Sequence, residues 1–228
     1  MVYMKEKIAL FDFCETLANF QTADPYVDFV RQNHSNPRMK FWHFFHKIAI
    51  KLKIVSILYR LFPDSSPNKR FILKQLSGLS YDVLEKDAQC YYEMQIKPNL
   101  IPRIISELKA LKEEGYRIML VSGGYNLYLK FFARDFGIHQ DDIESTIIDF
   151  DSRNRCKGTF KGKDCLGNEK LKRLNHRFPE REGLFFYAYS DSESDMPFLK
   201  WADKGFVVRN VNTPKWDNNN LFGEILWQ

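Results

Sequence analysis

The feature that most constrains the fold is a short apolar run near the N-terminus that leads directly into an acid. The run Lys7–Phe13 contains Asp12, and a second apolar run, Leu184–Ser190, is followed at once by Asp191. Short and nearly continuous apolar runs are typical of parallel strands that are buried on both faces. Since parallel strands end at the same edge of a sheet, the pattern predicts two carboxylates that meet at that edge.

Three more apolar runs and three segments with helical spacing complete an alternating pattern. The predicted strands are Lys7–Phe13, Arg117–Ser122, Ser145–Phe150, Leu184–Ser190 and Gly205–Arg209. The predicted helices between the later strands are Ile101–Glu114, Leu127–Phe136 and Glu169–Leu174. This alternation indicates an α/β protein with an open parallel sheet that binds its ligands at the carboxyl ends of the strands.

Residues 20–97 interrupt the alternation between the first and second predicted strands. They have a helical pattern with breaks at Pro and Gly, and we interpret them as an inserted α-helical cap domain. The α/β core domain then comprises residues 1–19 and 98–228, with hinges near Ala18–Phe20 and Lys97–Asn99. A chain of 228 residues is long enough for one large core or two modest ones.

The net charge of +5 is concentrated in the predicted cap. Residues 20–97 contain 12 Lys and Arg against 7 Asp and Glu, so this segment accounts for the whole excess. A basic segment beside a neutral one favours anionic partners, although an ordinary solvated surface can give the same count. No recognisable nucleic-acid module accompanies the basic residues, and we expect no nucleic-acid partner.

The stretch Phe41–Phe62 within the predicted cap is strongly apolar but also basic. It carries four cationic side chains, which are Lys47, Lys51, Lys53 and Arg60. This charge density argues against a stable membrane span. A cap helix is the preferred interpretation, and an amphipathic helix that makes peripheral contact with lipid is the alternative.

Cysteine usage favours a reducing compartment. The chain has no CxxC pair, and its four cysteines are Cys14, Cys90, Cys156 and Cys165. We therefore expect reduced thiols in a cytoplasmic protein. The segment 156–165 contains Gly158 and Gly162 and predicts a hairpin, where a disulfide or a zinc site is the minor alternative. The charged start of the chain leads into a strand, which argues against a cleavable signal.

The acids at the strand ends are suited to phosphoryl transfer. A carboxylate such as Asp12 can attack phosphorus and form an aspartyl-phosphate, if a metal and fixed donors offset its repulsion from the phosphate. Mg²⁺ prefers about six oxygen ligands, and Asp12, Asp191 and a backbone carbonyl can supply three. Asp195 can hold a metal-bound water. Each acid alone also fits a helix cap or a turn, but that explanation suits the pair less well.

Two further elements predict phosphate contacts. Ser122 closes the second predicted strand and precedes Gly123 and Gly124, so a hydroxyl and backbone N–H groups can cradle a phosphate at a strand-to-helix turn. Lys170 begins a predicted helix, where its ammonium can neutralise both the nucleophile and the phosphate. Such a turn is also common as plain architecture, and a single lysine is more often a solvated surface charge.

Together these residues resemble the four motifs of the haloacid dehalogenase-like phosphohydrolase superfamily. The matching positions, in chain order, are Asp12–Leu17, Ser122, Lys170 ahead of Leu174, and Asp191-Ser192 with Asp195. The sequence Cys165-Leu166-Gly167 before Lys170 and the helical insert are most similar to the phosphoserine-phosphatase-like branch. The motifs cover the core, whereas the cap matches only by its position and helical character.

The resemblance implies a Rossmann-like sheet, Mg²⁺ as the cofactor and an aspartyl-phosphate at Asp12. It also implies phosphate contacts from Ser122 and Lys170. The metal would be bound by Asp12, Asp191 and the backbone carbonyl of Cys14, with Asp195 in support.

The chain departs from the family pattern at Cys14 and Glu15. Most hydrolytic members carry an aspartate at the position of Cys14, which protonates the leaving group and then activates water. A thiol donates hydrogen bonds weakly and is a poor base at neutral pH, and lost acid–base help costs about 10²–10⁴-fold in rate. Three explanations stay open: Glu15 substitutes as the acid, the substrate has a good leaving group, or the aspartyl-phosphate persists.

These observations predict a Mg²⁺-dependent phosphohydrolase that acts on a small phosphate ester or anhydride. Its predicted catalytic residues are Asp12, Cys14, Ser122 and Lys170. The alternatives are a phosphotransferase and a phosphate-binding protein without turnover, and the apolar, basic stretch of the cap makes a lipid phosphate one candidate substrate. Substrate contacts near the hinge and the second motif are expected from Gln21, Asp24, Arg31 and Tyr125.

Overall fold

Strands and helices alternate along the computed structural model, which describes residues 6–34, 36–62 and 65–228; the first five residues of the predicted core lie outside it. The strands are β1 (Glu6–Phe11), β2 (Arg117–Tyr125), β3 (Ile143–Thr146), β4 (Ile148–Phe150), β5 (Cys156–Phe160), β6 (Leu184–Ser190), β7 (Lys204–Asn210) and β8 (Gly223–Trp227). The α-helices are α1 (Ala23–Asn33), α2 (Pro37–Lys51), α3 (Ile54–Leu61), α4 (Pro67–Leu73), α5 (Tyr81–Tyr91), α6 (Pro102–Glu113), α7 (Asn126–Asp135), α8 (Asn168–Arg177) and α9 (Met196–Trp201).

Six strands form one sheet in the order β3-β2-β1-β6-β7-β8, and every neighbouring pair is parallel. The chain moves outwards from β1 through β2 to β3, and then returns to the other side of β1 with β6. This reversal makes a crevice at the carboxyl ends of β1 and β6, where ligands bind in sheets of this kind. Phe11 lies opposite Tyr189, so the residues that follow the two strands are neighbours.

The central strand β1 is buried on both faces. Successive side chains of a strand point to opposite sides of the sheet. Accordingly, Ala9 and Phe11 pack into one apolar cluster, while Ile8 and Leu10 pack into another. This arrangement explains why the sequence of β1 is continuously apolar rather than alternating.

The structure confirms the predicted α/β class with an open parallel sheet. One predicted strand is wrong: Ser145–Phe150 is divided between β3 in the main sheet and β4, which pairs antiparallel with β5. The division falls at Ile147, whose side chain is exposed despite its apolar character. The edge strand β8 was not predicted, because its short sequence mixes exposed polar and apolar residues.

The hairpin predicted around Gly158 and Gly162 is also wrong. Gly158 lies within β5, and the turn of the hairpin precedes that strand, where Asp151 Oδ1 accepts the backbone N–H groups of Arg153 and Arg155 at 2.9 Å. Gly158 has φ of 66°, and a Cβ atom there would lie 3.0 Å from the Cα atom of Lys74. The glycine therefore permits close packing of β5 against the inserted segment.

Helices α1 to α5 fill the connection between β1 and β2, where the sequence predicted a helical cap. The two ends of this connection pair with each other, through an antiparallel bridge between Ala18 and Leu100 and a 2.9 Å hydrogen bond from the Asn19 amide to the Asn99 carbonyl. One apolar cluster continues from the sheet into these helices. The boundaries of a separate cap domain after residue 19 and before residue 98 remain a prediction.

The apolar, basic stretch Phe41–Phe62 forms parts of two helices rather than one. Helix α2 ends at Lys51, and Lys53 adopts a left-handed conformation with φ of 57° before α3 begins. Among the residues that the structure describes, no helix has the length and apolar character needed to cross a membrane.

We expect Leu10→Ala to lower the free energy of unfolding by about 2–5 kcal/mol, because it leaves a cavity beneath the central strand. The matched control is Leu226→Ala on β8, whose side chain is 44% exposed. We expect that control to change stability by no more than about 0.5 kcal/mol. Urea denaturation of both variants provides the measurement, and equal losses would contradict burial of β1 on both faces.

Candidate active site

Two acids from adjacent strands meet at the crevice of the sheet. Asp12 follows β1, and its amide donates to the Tyr189 carbonyl at 2.9 Å. Asp191 follows β6. The hydroxyl oxygen of Thr16 lies 3.0 Å from Asp191 Oδ1 and 3.4 Å from Asp12 Oδ2, and it accepts the backbone N–H of Asp191 at 3.0 Å. The structure thus brings together the two strand-end acids, with a threonine hydroxyl between them.

Lys170 supplies a buried positive charge to this group. Helix α8 turns Lys170 and Leu174, which are one turn apart, towards the interior. The Nζ atom of Lys170 lies 2.7 Å from Asp12 Oδ1 and 2.5 Å from Asp195 Oδ2. The hydroxyl of Ser190 also donates to Asp195 Oδ2, at 2.7 Å. These contacts orient the Asp195 carboxylate towards the ammonium.

Three carboxylates and the single ammonium of Lys170 share this site, and the pKa values of Lys170, Asp12 and Asp191 are shifted. Burial acts to lower the pKa of Lys170, but the charges of Asp12 and Asp195 outweigh this effect and raise it. Burial raises the pKa of Asp12, with Lys170 in opposition. Burial, aided by the charge of Asp12, raises the pKa of Asp191 to about 8. When fully ionised, the group therefore carries an excess of two negative charges.

The end of β2 borders the same site. Ser122 is completely buried, and its Oγ atom accepts the amide N–H of Gly124 at 3.1 Å. The strand continues to Tyr125, so Gly123 and Gly124 belong to it rather than to the predicted strand-to-helix turn. Ser122 and Gly123 face the cavity above Asp12, whereas Gly124 does not. The backbone N–H of Gly124 is thus hydrogen-bonded to the hydroxyl of Ser122.

Cys14 begins a chain of polar contacts that leads away from Asp12. Its Sγ atom lies 3.0 Å from the hydroxyl oxygen of Thr22, which in turn lies 2.8 Å from the hydroxyl of Tyr128. Burial, and to a lesser extent the charge of Asp12, raise the pKa of the thiol to about 11. Cys14, two residues after Asp12, is therefore a neutral thiol that contacts a hydroxyl.

A cavity of about 310 Å³ lies above these groups. Its floor consists of the strand-end residues and Lys170. Its walls include residues of the inserted segment, namely Gln21, Asp24, Tyr59, Ser66, Asn68 and Lys69. The connection between β1 and β2 therefore contributes directly to the space that a ligand would occupy.

Lys69 joins helix α4 to the sheet and was not predicted from the sequence. Its Nζ atom lies 2.6 Å from Asp164 Oδ1, donates to the Gly123 carbonyl and sits 5.0 Å from the ring centroid of Tyr125. The second carboxylate oxygen of Asp164 is buried without a hydrogen-bond partner. No sequence signal identifies Lys69, because a lysine in a short helix is normally exposed.

The remaining predicted contacts are divided between the cavity and other sites. Gln21 and Asp24 line the cavity. Arg31 instead pairs with Asp28 at 2.7 Å along α1, and neither Arg31 nor the completely buried Tyr125 lines the cavity.

Glu15 lies outside the cavity above Asp12. Its φ of 55° is in the left-handed region, which favours glycine. Its carboxylate accepts a hydrogen bond from Gln21, and the residue borders a separate cavity near Arg209 and Trp216. In this arrangement Glu15 is not positioned to replace the missing aspartate.

The donor set fits a hard divalent cation such as Mg²⁺, which prefers oxygen ligands. Asp12 and Asp191 can bind it through their carboxylates, and Cys14 can bind it through its backbone carbonyl. Within residues 6–34, 36–62 and 65–228, no three His, Cys, Asp or Glu side chains are grouped to hold a metal. Waters and phosphate oxygens would therefore complete the coordination shell, and a divalent charge would balance the excess of two negative charges.

A parallel sheet with an acid after its central strand, a second acid on the neighbouring strand and a buried lysine between acids defines the class of this protein. The sequence model of the haloacid dehalogenase-like hydrolase family matches residues 9–200. The chain belongs to that family, and it is therefore a hydrolase.

Relatives with similar sequences or structures extend over most of the chain. Protein CicA of Caulobacter vibrioides is 25% identical over 203 residues, which cover 88% of this chain and 86% of that protein. A protein of unknown function from Bordetella pertussis Tohama I has a TM-score of 0.70 at 20% identity, covering 90% of each chain. A phosphoserine phosphatase, in a structure described as a phospho-aspartyl intermediate analogue, has a TM-score of 0.59 at 20% identity, covering 90% of this chain and 87% of that one. These structures share the fold.

We expect one of the four cysteines to react rapidly with a small thiol reagent in the native protein. Cys90 is exposed, whereas Cys14, Cys156 and Cys165 are buried and free. Burial raises the pKa of Cys156 to about 11 and that of Cys165 to about 12, which depletes the reactive thiolate. Thiol titration should count one group before denaturation and four after it.

The control for this titration is Cys90→Ser, which should remove the rapid phase and leave three thiols after denaturation. A count of two in the denatured wild-type protein would reveal a disulfide and contradict the structure.

Proposed function

We propose that this protein is a Mg²⁺-dependent phosphatase that acts on a small phosphate ester or anhydride through an aspartyl-phosphate at Asp12. The observation that carries the proposal is the position of Asp12 on the cavity floor, 2.7 Å from the buried Lys170 ammonium and linked to Asp191 through Thr16. Fixed charges of this kind stabilise the charge that develops during phosphoryl transfer. The cavity volume of about 310 Å³ suits a small molecule.

The first step is attack by an Asp12 carboxylate oxygen on phosphorus. A bond forms between that oxygen and phosphorus, the bond from phosphorus to the leaving oxygen breaks, and the leaving oxygen takes up a proton from water. Lys170 balances the charge of the nucleophile, and the hydroxyl of Ser122 lies at the cavity wall, where it can contact a phosphoryl oxygen. A Mg²⁺ ion bound by Asp12, Asp191 and the Cys14 carbonyl would supply further positive charge.

The second step is attack by water on the phosphorylated Asp12, which releases phosphate and restores the carboxylate. This step ordinarily benefits from a general base. Cys14 offers a thiol that contacts Thr22, so we propose that water attack is the slower step in this protein. Substrates with a good leaving group would need little acid help in the first step.

Three observations support this assignment without extending it to one substrate. The chain belongs to a hydrolase family. Its fold matches that of a phosphoserine phosphatase whose structure is described as a phospho-aspartyl intermediate analogue. The inserted segment contributes Gln21, Asp24 and Lys69 to the cavity, and we propose that its helices act as a cap that selects the substrate and excludes water. The four free cysteines favour a cytoplasmic location, which we also propose.

A phosphotransferase is the second candidate function, and the thiol of Cys14 is the observation that favours it. A persistent aspartyl-phosphate could transfer its phosphoryl group to an acceptor other than water. A protein that binds phosphate ligands without turnover is the third candidate. A phosphatase panel that includes small esters, acyl phosphates and a lipid phosphate, measured with Mg²⁺ and with a chelator, distinguishes turnover from binding.

We expect Asp12→Asn to abolish turnover and Cys14→Asp to increase it by about 10²-fold or more, because an aspartate at this position restores acid–base help. The matched control is Cys14→Ser, which preserves the size of the side chain without adding a base and should not increase turnover. Steady-state phosphate release across the panel provides the measurement. Full activity in the Asp12→Asn variant would disprove the mechanism.

We expect acid-quenched single turnovers with labelled substrate to trap phosphate on Asp12, because water attack is the slower step. The label should be stable in acid, released by mild base and lost in the Asp12→Asn variant. Decay of the label in water without an added acceptor supports the phosphatase, whereas decay only after addition of an acceptor supports the phosphotransferase. Product release without any trapped label in wild type and Cys14→Ser protein would contradict a slow second step.

A further inference from the structure

Helices α2 and α3 and the turn between them form a surface that is unusually rich in exposed apolar side chains. We call residues 37–62 the α2–α3 surface. Of the fifteen large hydrophobic side chains that are exposed among the described residues, nine lie here. They are Phe41, Phe44, Phe45, Ile50, Leu52, Ile57, Tyr59, Leu61 and Phe62. A cluster of exposed apolar side chains of this kind is typical of a surface that binds another protein or a membrane.

The same surface is positively charged throughout. Residues 37–62 contain six Lys and Arg and no Asp or Glu, whereas the net charge of the whole chain is +5. All six cationic side chains are exposed; they are Arg38, Lys40, Lys47, Lys51, Lys53 and Arg60. The excess positive charge of the protein is therefore located where its apolar side chains are exposed.

Along α2 the apolar and basic residues form adjacent rows. Met39, His46 and Ala49 define the buried side of the helix. On the outer side, one row has the spacing i, i+3, i+4, i+7 and consists of Phe41, Phe44, Phe45 and the partly buried Ile48. Beside it runs a basic row with the spacing i, i+7, i+11, which consists of Lys40, Lys47 and Lys51. This is the pattern of a helix that lies in the plane of a membrane interface.

The turn between the two helices also combines exposed apolar and basic side chains. Leu52 is 61% exposed, and it stands between Lys51 and Lys53, which are both exposed. The left-handed conformation of Lys53 separates the end of α2 from the start of α3. The turn therefore presents one apolar side chain flanked by two ammonium groups.

We propose that the α2–α3 surface docks the protein on an anionic lipid bilayer. The apolar side chains enter the interface between head groups and acyl chains, and the lysines and arginines contact the lipid phosphates. Each basic residue near an anionic leaflet adds to the attraction, and salt screens it.

Charge decides between a bilayer and the other occupants of such a surface. A second copy of this chain in a symmetric interface would bring two surfaces together that each carry six cations and no acid, so they would repel each other. A nucleic acid would complement the charge but would leave the exposed aliphatic residues, such as Ile50, Leu52 and Leu61, in contact with water or phosphate. An anionic bilayer complements both the positive charge and the apolar side chains.

Docking would also orient the candidate active site. Tyr59 of α3 belongs to the α2–α3 surface and lines the cavity above Asp12. A bilayer in contact with this surface therefore lies next to one wall of the cavity. Docking requires no turnover, so vesicle binding and the phosphatase assays test separate claims.

The test is sedimentation of the full chain with vesicles of phosphatidylcholine alone or with about one third phosphatidylglycerol. We expect binding to the anionic vesicles at 0.1 M salt, where charges act over about 10 Å, and much weaker binding at 1 M, where they act over about 3 Å. We expect no binding to neutral vesicles. Absence of binding to the anionic vesicles at 0.1 M salt would overturn the proposal.

Matched variants separate the two contributions. Combined Lys47→Gln, Lys51→Gln and Lys53→Gln should weaken vesicle binding by about 10²-fold. Three exposed lysines elsewhere provide a control with the same change of charge, namely Lys86→Gln, Lys109→Gln and Lys200→Gln, and should retain most of the binding. Equal weakening by both sets would mean that net charge alone is responsible, and would overturn the assignment to this surface.

The apolar contribution is tested by combining Phe44→Ser with Leu52→Ser. We expect binding to weaken at least about 10-fold and blue-shifted tryptophan fluorescence on vesicles to be reduced, because Trp42 lies on α2. The control is Met94→Ser with Leu226→Ser, which removes two exposed apolar side chains outside the surface. Thermal unfolding of each variant verifies that it is folded. Analytical ultracentrifugation completes the test: a dimer that the Phe44 and Leu52 changes dissociate, without vesicle binding, would assign the surface to a second copy.

Discussion

The buried contact of Lys170 with two carboxylates is the interaction on which the candidate site depends. Removing an ammonium and carboxylates from water is costly, and such groups persist only when they are paired and hydrogen-bonded. Here the sheet meets that requirement, because β1 fixes Asp12 and the serine at the end of β6 fixes Asp195. The charges are consequently held in place by rigid elements before any ligand binds. Charges that are fixed in this way can stabilise a transition state without a further cost for reorienting them.

The inserted helices are attached to this charged centre by polar contacts as well as by apolar packing. Lys69 of α4 binds Asp164 and a carbonyl at the end of β2. Thr22, just before α1, connects the thiol of Cys14 with Tyr128 of α7. The cavity is therefore shaped by contacts that cross between the insert and the sheet, and a change in the insert reaches the groups around Asp12 through two or three side chains.

The proximity of Asp12 and Asp191 was predictable because each acid follows a buried strand. Neighbouring parallel strands end at the same edge of a sheet, so the residues that follow them lie close together. Lys170 could be placed only through its resemblance to a known motif. Lys69 and Thr22 could not be identified, because their importance arises from contacts with residues that are distant in sequence. The same limit explains the error at Ser145–Phe150: a short segment rich in β-branched residues does not reveal that the chain leaves one sheet and joins another at Ile147. The edge strand β8 lacks the apolar continuity that identified the buried strands.

The pairing of Ala18 with Leu100 has a consequence for how this architecture can vary. The insert begins and ends at neighbouring positions of the chain, because the residues that flank this pair are hydrogen-bonded: the Asn19 amide donates to the Asn99 carbonyl, and the Ile101 amide donates to the Leu17 carbonyl. Loop-closure entropy rises only slowly with length, so a longer or shorter insert changes this entropy little. The insert can therefore differ in length without separating the two chain segments that flank it.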